Sequence, residues 1–181
     1  MIGVERSRAA PVRRFMSSKR VRSFLIGACL ALLGSAAAAA GVPLKTLEGT
    51  DTTLAEQVQG GRWTLVMMWT TYCGICRRQY PVISEFHDRH HGGDATVIGI
   101  ALDGYAALDE VRAYVAKKPF SYPTVVGEPE VLGATFEKAT GERFTGTPTY
   151  LLFNPARQLI ATSSGEVELA ILERYVSGKS P

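Results

Sequence analysis

One junction restricts this chain more than any other feature. Trp63–Trp69 (WTLVMMW) is an unbroken apolar run of strand length, and Cys73-Gly74-Ile75-Cys76 follows it almost at once. A run that is apolar at every position fits a strand buried on both faces, as in a mostly parallel sheet. Beyond the cysteines, Ile75, Val82, Ile83 and Phe86 recur at helical spacing up to His91-Gly92-Gly93. Cys73 therefore falls where a strand turns into a helix. Unpaired backbone N–H groups and the helix dipole favour an anion there. The thiolate is the reactive form of cysteine, and this setting in a Cys-x-x-Cys pair lowers the thiol pKa from ~8.5 into the range of roughly 3.5–7.5. Cys76 lies one turn later on the same helix face. It is placed to attack a mixed disulfide formed at Cys73 and so release a bound partner. The expected arrangement is an exposed, easily ionised Cys73 backed by Cys76.

The rest of the chain reads as alternating strands and helices. Val42 to Leu54 alternates around Glu48-Gly49-Thr50 and predicts a hairpin of two short strands. Ala95 to Leu102 is a second buried strand, and Ala106 to Lys118 an amphipathic helix stopped by Pro119. Tyr122 to Val126 predicts a short strand, and Glu130 to Ala139 a short helix. Thr149 to Phe153 and Gln158 to Thr162 predict an antiparallel pair turned by Asn154 to Arg157. Glu166 to about Ser177 predicts a closing helix. This order implies an α/β domain, one sheet layer with helices on both faces.

The first forty residues differ in character from the rest. Seven of the 20 Lys and Arg residues precede residue 23, and an apolar stretch from Phe24 to about Ala40 ends in Ala38-Ala39-Ala40 before Gly41. That pattern predicts a secretory signal peptide over residues 1–40 and a mature domain over residues 41–181, in the periplasm. Met16 offers an alternative start with a conventional short basic region. An uncleaved membrane anchor is the other reading, since ~17 apolar residues is the lower limit for a spanning helix. A third reading makes Cys29 a lipid-attachment site. Membrane contact is expected only if the segment is retained. The remainder carries 13 bases against 16 acids, a net charge of −3, which gives no basic face for nucleic acid. Cleavage near residue 40 removes Cys29 and leaves Cys73 and Cys76 as the only cysteines of an oxidising compartment.

Zinc at the pair would need a second pair of ligands. The only histidines, His87, His90 and His91, come too late in the helix to share a metal with Cys73. They are read as a solvated helix end that complements the dipole, with a surface metal at His87 and His91 as the minor alternative. Met67-Met68 is read as strand core rather than a copper site. No metal or cofactor is assigned.

The ordered motifs give the chain a resemblance to the thioredoxin superfamily, within it to the TlpA-like exported thioredoxins. The resemblance spans about residues 44–178. It rests on the N-terminal hairpin, Trp69, the Cys73–Cys76 pair, Pro81 eight residues after Cys73, the strand ending at Asp103, and Thr147-Pro148. It implies a thioredoxin-like fold, with a central mixed sheet, helices on both faces and an N-terminal β-hairpin. It implies catalysis by Cys73 and Cys76 in a thiol–disulfide oxidoreductase. It further implies that the Thr147-Pro148 loop, with a cis peptide bond, faces Cys73, and that the Thr147 backbone pairs with an extended substrate segment. Trp69 and Tyr72 complete the implied substrate-binding set, Trp69 packing beside the disulfide, with core packing alone as the equal alternative, and Tyr72 bordering the surface.

Two positions depart from the group. Met67 stands where thioredoxin has a buried Asp, and Gln79 where many TlpA-like members have Glu. The expected resolving step therefore uses water or an acid that the sequence does not place, and Asp103 is not assigned to it. Implied partners are proteins carrying thiols or disulfides and a membrane redox donor or acceptor. A reductant acting in cytochrome c maturation or on copper-site cysteines is the favoured direction. A Cu(I) chaperone using the same cysteines and a thiol peroxidase, suggested by Thr70-x-x-Cys73, are the alternatives.

Overall fold

The computed structural model describes residues 41–117 and 120–178. The readings made for residues 1–40 lie outside the described residues. Within them, no helix is long and apolar enough to cross a membrane.

The described residues open with β1 (Pro43–Thr46) and β2 (Asp51–Thr53), an antiparallel hairpin. Gly49 takes φ 88 in its turn, where a side chain would be strained. The short α1 (Leu54–Gln57) starts at a reciprocal cap in which Glu56 N–H donates to Thr53 Oγ1 and Thr53 N–H donates to Glu56 Oε2. Then follow β3 (Trp63–Trp69), α2 (Gly74–His90) and β4 (Ala95–Ala101). A 3-10 turn at Tyr105–Ala107 leads into α3 (Leu108–Lys117). Next come β5 (Thr124–Val126) and α4 (Pro129–Thr140). The chain closes with β6 (Thr149–Phe153), β7 (Leu159–Ser164) and α5 (Leu169–Val176).

The seven strands form one mixed sheet in the order β2-β1-β5-β4-β3-β6-β7. β3, β4 and β5 run parallel, while β1 against β5, β6 against β3, and β7 against β6 are antiparallel. β3 and β4 are the central strands, and their uninterrupted apolar sequences match burial on both faces. Alternate residues divide between two cores. Leu65, Met67 and Trp69 face α2, α3 and α5 through Ile83, Phe86, Val111 and Leu172. Val66 and Met68 face α1 and α4 through Leu54, Leu132 and Phe136. The mixed sheet covered on both faces is the architecture read from the sequence.

Several boundaries differ from that reading. β5 begins at Thr124 rather than Tyr122, because Pro123 has no N–H to give a ladder and its carbonyl accepts from Gly99 N instead. β7 runs on to Ser164, which pairs with Thr149. α5 begins at Leu169 rather than Glu166, because Val167 N–H donates to Gln79 Oε1 and is held out of a helical turn.

The three histidines are not alike, and the reading of all three as a solvated end is corrected. His87 is buried, and its Nδ1 accepts from Val97 N–H at 3.2 Å. Burial, then the neighbouring His91, hold its pKa below the ordinary value. His90 bridges Asp94 and Glu173, at 2.8 and 2.9 Å. Only His91 remains exposed, stacked on His87. Among the described residues, no group of three or more His, Cys, Asp or Glu is placed to hold a metal.

Candidate active site

β3 ends at Trp69 and α2 begins at Gly74, which sets Cys73 as the residue that caps the helix. Its backbone is extended, and Cys76 N–H points at Cys73 Sγ from 3.0 Å. That free first-turn donor is the one a thiolate at Cys73 would use. The Cys73 and Cys76 sulfurs are joined in a disulfide, with Cα atoms 5.3 Å apart.

The loop before the helix is held from the turn that follows β4. Thr71 N–H and Oγ1 both donate to Asp103 Oδ1, at 3.1 and 2.5 Å. Asp103 thus anchors the backbone two residues before Cys73. From the opposite side comes the turn before β6, whose Thr147–Pro148 peptide bond is cis. The Thr147 carbonyl oxygen lies 3.5 Å from Cys73 Sγ. The Pro148 carbonyl is occupied by Gly165 N–H, but Thr147 N–H donates to no group among the described residues.

Exposure separates the two cysteines. Cys76 is wholly buried, whereas Cys73 retains 9% of its surface. Cys73 is more enclosed than the open position expected from sequence, because the Thr147–Pro148 turn closes over it. It is still the only one of the two sulfur-bearing residues that an incoming group can meet. Beside it, Tyr72 is 77% exposed and Ile75 39%, an apolar pair in open solvent.

Trp69 corrects another expectation. Its side chain is fully buried among Tyr80, Tyr114 and Phe120, with ring centroids 5.7, 5.7 and 5.2 Å away. Edge-to-face packing on Tyr80 and Phe120 supports the floor beneath the site. It leaves no surface for a substrate. Arg77 points to solvent, and Arg78 pairs with Glu166 on the exposed side of α2.

Among the described residues, the tyrosines that share the buried cluster of Cys76 offer no ready base. Burial pushes the hydroxyls of Tyr80, Tyr122 and Tyr150 well above the ordinary tyrosine range. Met67 is core, its sulfur accepting from Tyr122 Oη. Gln79 is the residue that sequence reasoning undervalued. It is 5% exposed, and its Oε1 accepts from Tyr150 Oη at 3.1 Å and from Val167 N–H at 3.0 Å. The signal was present, because Cys76, Gln79, Tyr80 and Ile83 share one helical face.

Chemically, this arrangement supports one cycle. A Cys73 thiolate attacks one sulfur of a partner disulfide, and the other partner sulfur leaves and takes a proton. Cys76 then gives up its proton and attacks Cys73 Sγ, which releases the second partner sulfur and re-forms the internal disulfide. Run backwards, the same steps oxidise a partner dithiol.

Residues 34–162 match the AhpC/TSA family. Sporulation thiol-disulfide oxidoreductase A of Bacillus subtilis is 22% identical over 133 residues, 73% of this chain and 75% of that protein. Thiol-disulfide oxidoreductase YkuV of Bacillus subtilis is 24% identical over 125 residues, 67% of this chain and 80% of that protein. Among solved structures, a secreted Mycobacterium tuberculosis disulfide oxidoreductase superposes with TM-score 0.56 at 17% identity, covering 75% of this chain and 94% of that one. Such a likeness carries the fold, and the family match carries the relationship. Sequence, sheet topology and cysteine geometry converge: the chain belongs to the AhpC/TSA family, with a thioredoxin-superfamily domain, and is a thiol–disulfide oxidoreductase.

Proposed function

We propose that this protein is an exported reductant of protein disulfides. Residues 1–40 are its signal peptide, residues 41–181 its working domain, and the periplasm its compartment. The observation that carries a protein substrate is the free Thr147 N–H beside a carbonyl that already lies 3.5 Å from Cys73 Sγ. Such a backbone edge receives an extended segment as an added strand, which fixes a partner's sulfur against Cys73. Cys73 is the attacking cysteine, Cys76 the resolving one, and Thr147 and Pro148 form the docking edge. Tyr72, at 77% exposure, offers the docked segment an apolar neighbour.

Two things favour export. The basic, apolar and small-residue stretches of residues 1–40 follow the order of a signal peptide. The Mycobacterium tuberculosis protein that shares the fold is described as secreted. The direction of electron flow follows the resemblance to TlpA-like thioredoxins. By that analogy the substrates are apocytochrome c or copper-site cysteines, with electrons from a membrane donor.

The decisive measurement is the reduction potential of the Cys73–Cys76 pair against glutathione. Known pairs span about −270 to −120 mV, and 30 mV corresponds to about 1.4 kcal/mol, so the range covers roughly 7 kcal/mol. A value near −270 mV supports a reductant, and one near −120 mV overturns it in favour of an oxidant. N-terminal sequencing of the exported product tests the signal peptide independently.

A further inference from the structure

Gln79 makes contacts that the exchange chemistry does not require. It sits one turn beyond Cys76 on α2, almost fully buried. Its side-chain oxygen collects two donors from chain segments 71 and 88 residues away. One is Tyr150 Oη, two residues after Pro148 on β6. The other is Val167 N–H, in the segment that leads into α5. A backbone N–H can only donate, so the atom facing Val167 is the amide oxygen. The Val167 segment is joined to the docking edge a second time, because Gly165 N–H donates to Pro148 O at 2.9 Å. On the outer side of α2, Arg78 pairs with Glu166 of that same segment. The helix that carries Cys76 and is capped by Cys73 is therefore tied to the Thr147–Pro148 turn through one buried oxygen, directly by way of β6 and indirectly by way of residues 165–167.

We propose that Gln79 is a positioning residue for substrate docking: it sets the register between Cys73 and the Thr147 backbone edge. Three physical points support this. The tie spans the two elements whose spacing decides whether a docked partner's sulfur meets Cys73 in line. It is formed in the buried interior, where an unpaired donor is costly, so the two donors resist any movement that would strand them. It places a strong acceptor one turn below Cys76 without a net charge, so the geometry is held without an anion beside a sulfur that must pass through its own anionic state. The inference rests on the reading of Thr147 as a docking edge. It adds the residue that holds that edge at its working distance.

The test compares two disulfides reduced by the fully reduced protein in single-turnover reactions. One is a synthetic peptide closed by an intramolecular disulfide, which needs the Thr147 edge. The other is hydroxyethyl disulfide, which has no backbone to pair. Wild-type turnover of the peptide is measured first and belongs to the functional reading, and its absence would overturn both. Gln79→Met removes the acceptor at similar volume. It is expected to raise the half-saturating peptide concentration about tenfold, the loss set by one misplaced hydrogen bond. The rate with hydroxyethyl disulfide should stay within about twofold. Gln79→Glu restores an oxygen that accepts from both donors and should return peptide saturation to near the wild-type value, while the anion it adds beside Cys76 lowers the maximal rate toward both disulfides. In a folded Gln79→Met, equal losses toward both disulfides, or unchanged peptide saturation, would overturn the proposal. Should Gln79→Met fail to fold, Tyr150→Phe decides. Weakened peptide saturation with the small disulfide unaffected supports the tie, and wild-type behaviour overturns it.

Discussion

His90 is the best point at which to make the stability of this domain report its own chemistry. The ring sits between Asp94 Oδ1 at 2.8 Å and Glu173 Oε2 at 2.9 Å, and it packs on Phe86 at 4.8 Å between centroids. Both ring nitrogens face carboxylates, so the doubly protonated cation is the form that satisfies them. Partial burial opposes that charge. The hydrogen bonds and charges of Asp94 and Glu173 outweigh it, and the pKa is raised above 6.5. Arg89 also reaches Glu173, at 3.4 Å, so part of that carboxylate is already shared. Asp94 is 62% exposed and Glu173 31%. A charged hydrogen bond to Glu173 is then worth about 1.5 kcal/mol, and the exposed one to Asp94 about 0.5 kcal/mol, or about 2 kcal/mol together. The folded ring keeps its proton at pH values where the unfolded ring has lost it. This stabilisation is therefore complete below about pH 6.5 and drains away as pH rises through the raised folded value. His90→Gln should lower the unfolding free energy by about 2 kcal/mol at pH 5.5 and by less than about 0.5 kcal/mol at pH 9. Urea unfolding of the oxidised wild type and variant at both pH values measures this. Comparing the two proteins cancels the opposite pH dependence of His87, whose lowered pKa favours the fold at higher pH. A deficit of the same size at pH 5.5 and pH 9 would refute the reasoning.

Two further outcomes follow from named contacts. A methyl group at Gly127 would lie 2.3 Å from Leu132 Cδ1 and 2.8 Å from Leu44 Cδ2, both in the core, so Gly127→Ala should cost about 1–3 kcal/mol by chemical unfolding. Asp103→Ala should cost about 1–3 kcal/mol by leaving Thr71 N–H and Oγ1 without their acceptor. It should slow the resolving step less than about tenfold in stopped-flow exchange, because the carboxylate is engaged in holding the loop. A larger loss with the fold intact would make Asp103 the proton acceptor for Cys76.

What the sequence revealed, and what it hid, divides by the range of the forces involved. The central strands and the cysteine junction were legible because each is written in consecutive residues: WTLVMMW, ATVIGIA and TYLLF carry their burial in every letter. Helix ends set by distant partners were not. Residues 166–168 have a helical pattern, yet α5 waits until Leu169 because Val167 answers to Gln79, 88 residues away. His87 looked like part of a basic helix end, although Ile83, Phe86 and His87 lie on one face, and only the backbone of β4 gives its ring a reason to be buried. The sequence leaves Trp69 open between substrate contact beside the disulfide and plain core, and the aromatic residues that enclose it come from α2, α3 and the loop before β5. Local periodicity had no access to that enclosure.

The unequal placement of the two sulfurs bears on what competes during turnover. Once a partner is joined to Cys73, its own bulk stands over the one cysteine of the pair that solvent reaches. Free glutathione must come in past that partner, while Cys76 lies inside within a single turn of helix. The fate of the joined species is then settled between neighbours rather than by the redox buffer around it, and a crowded thiol pool should divert few cycles.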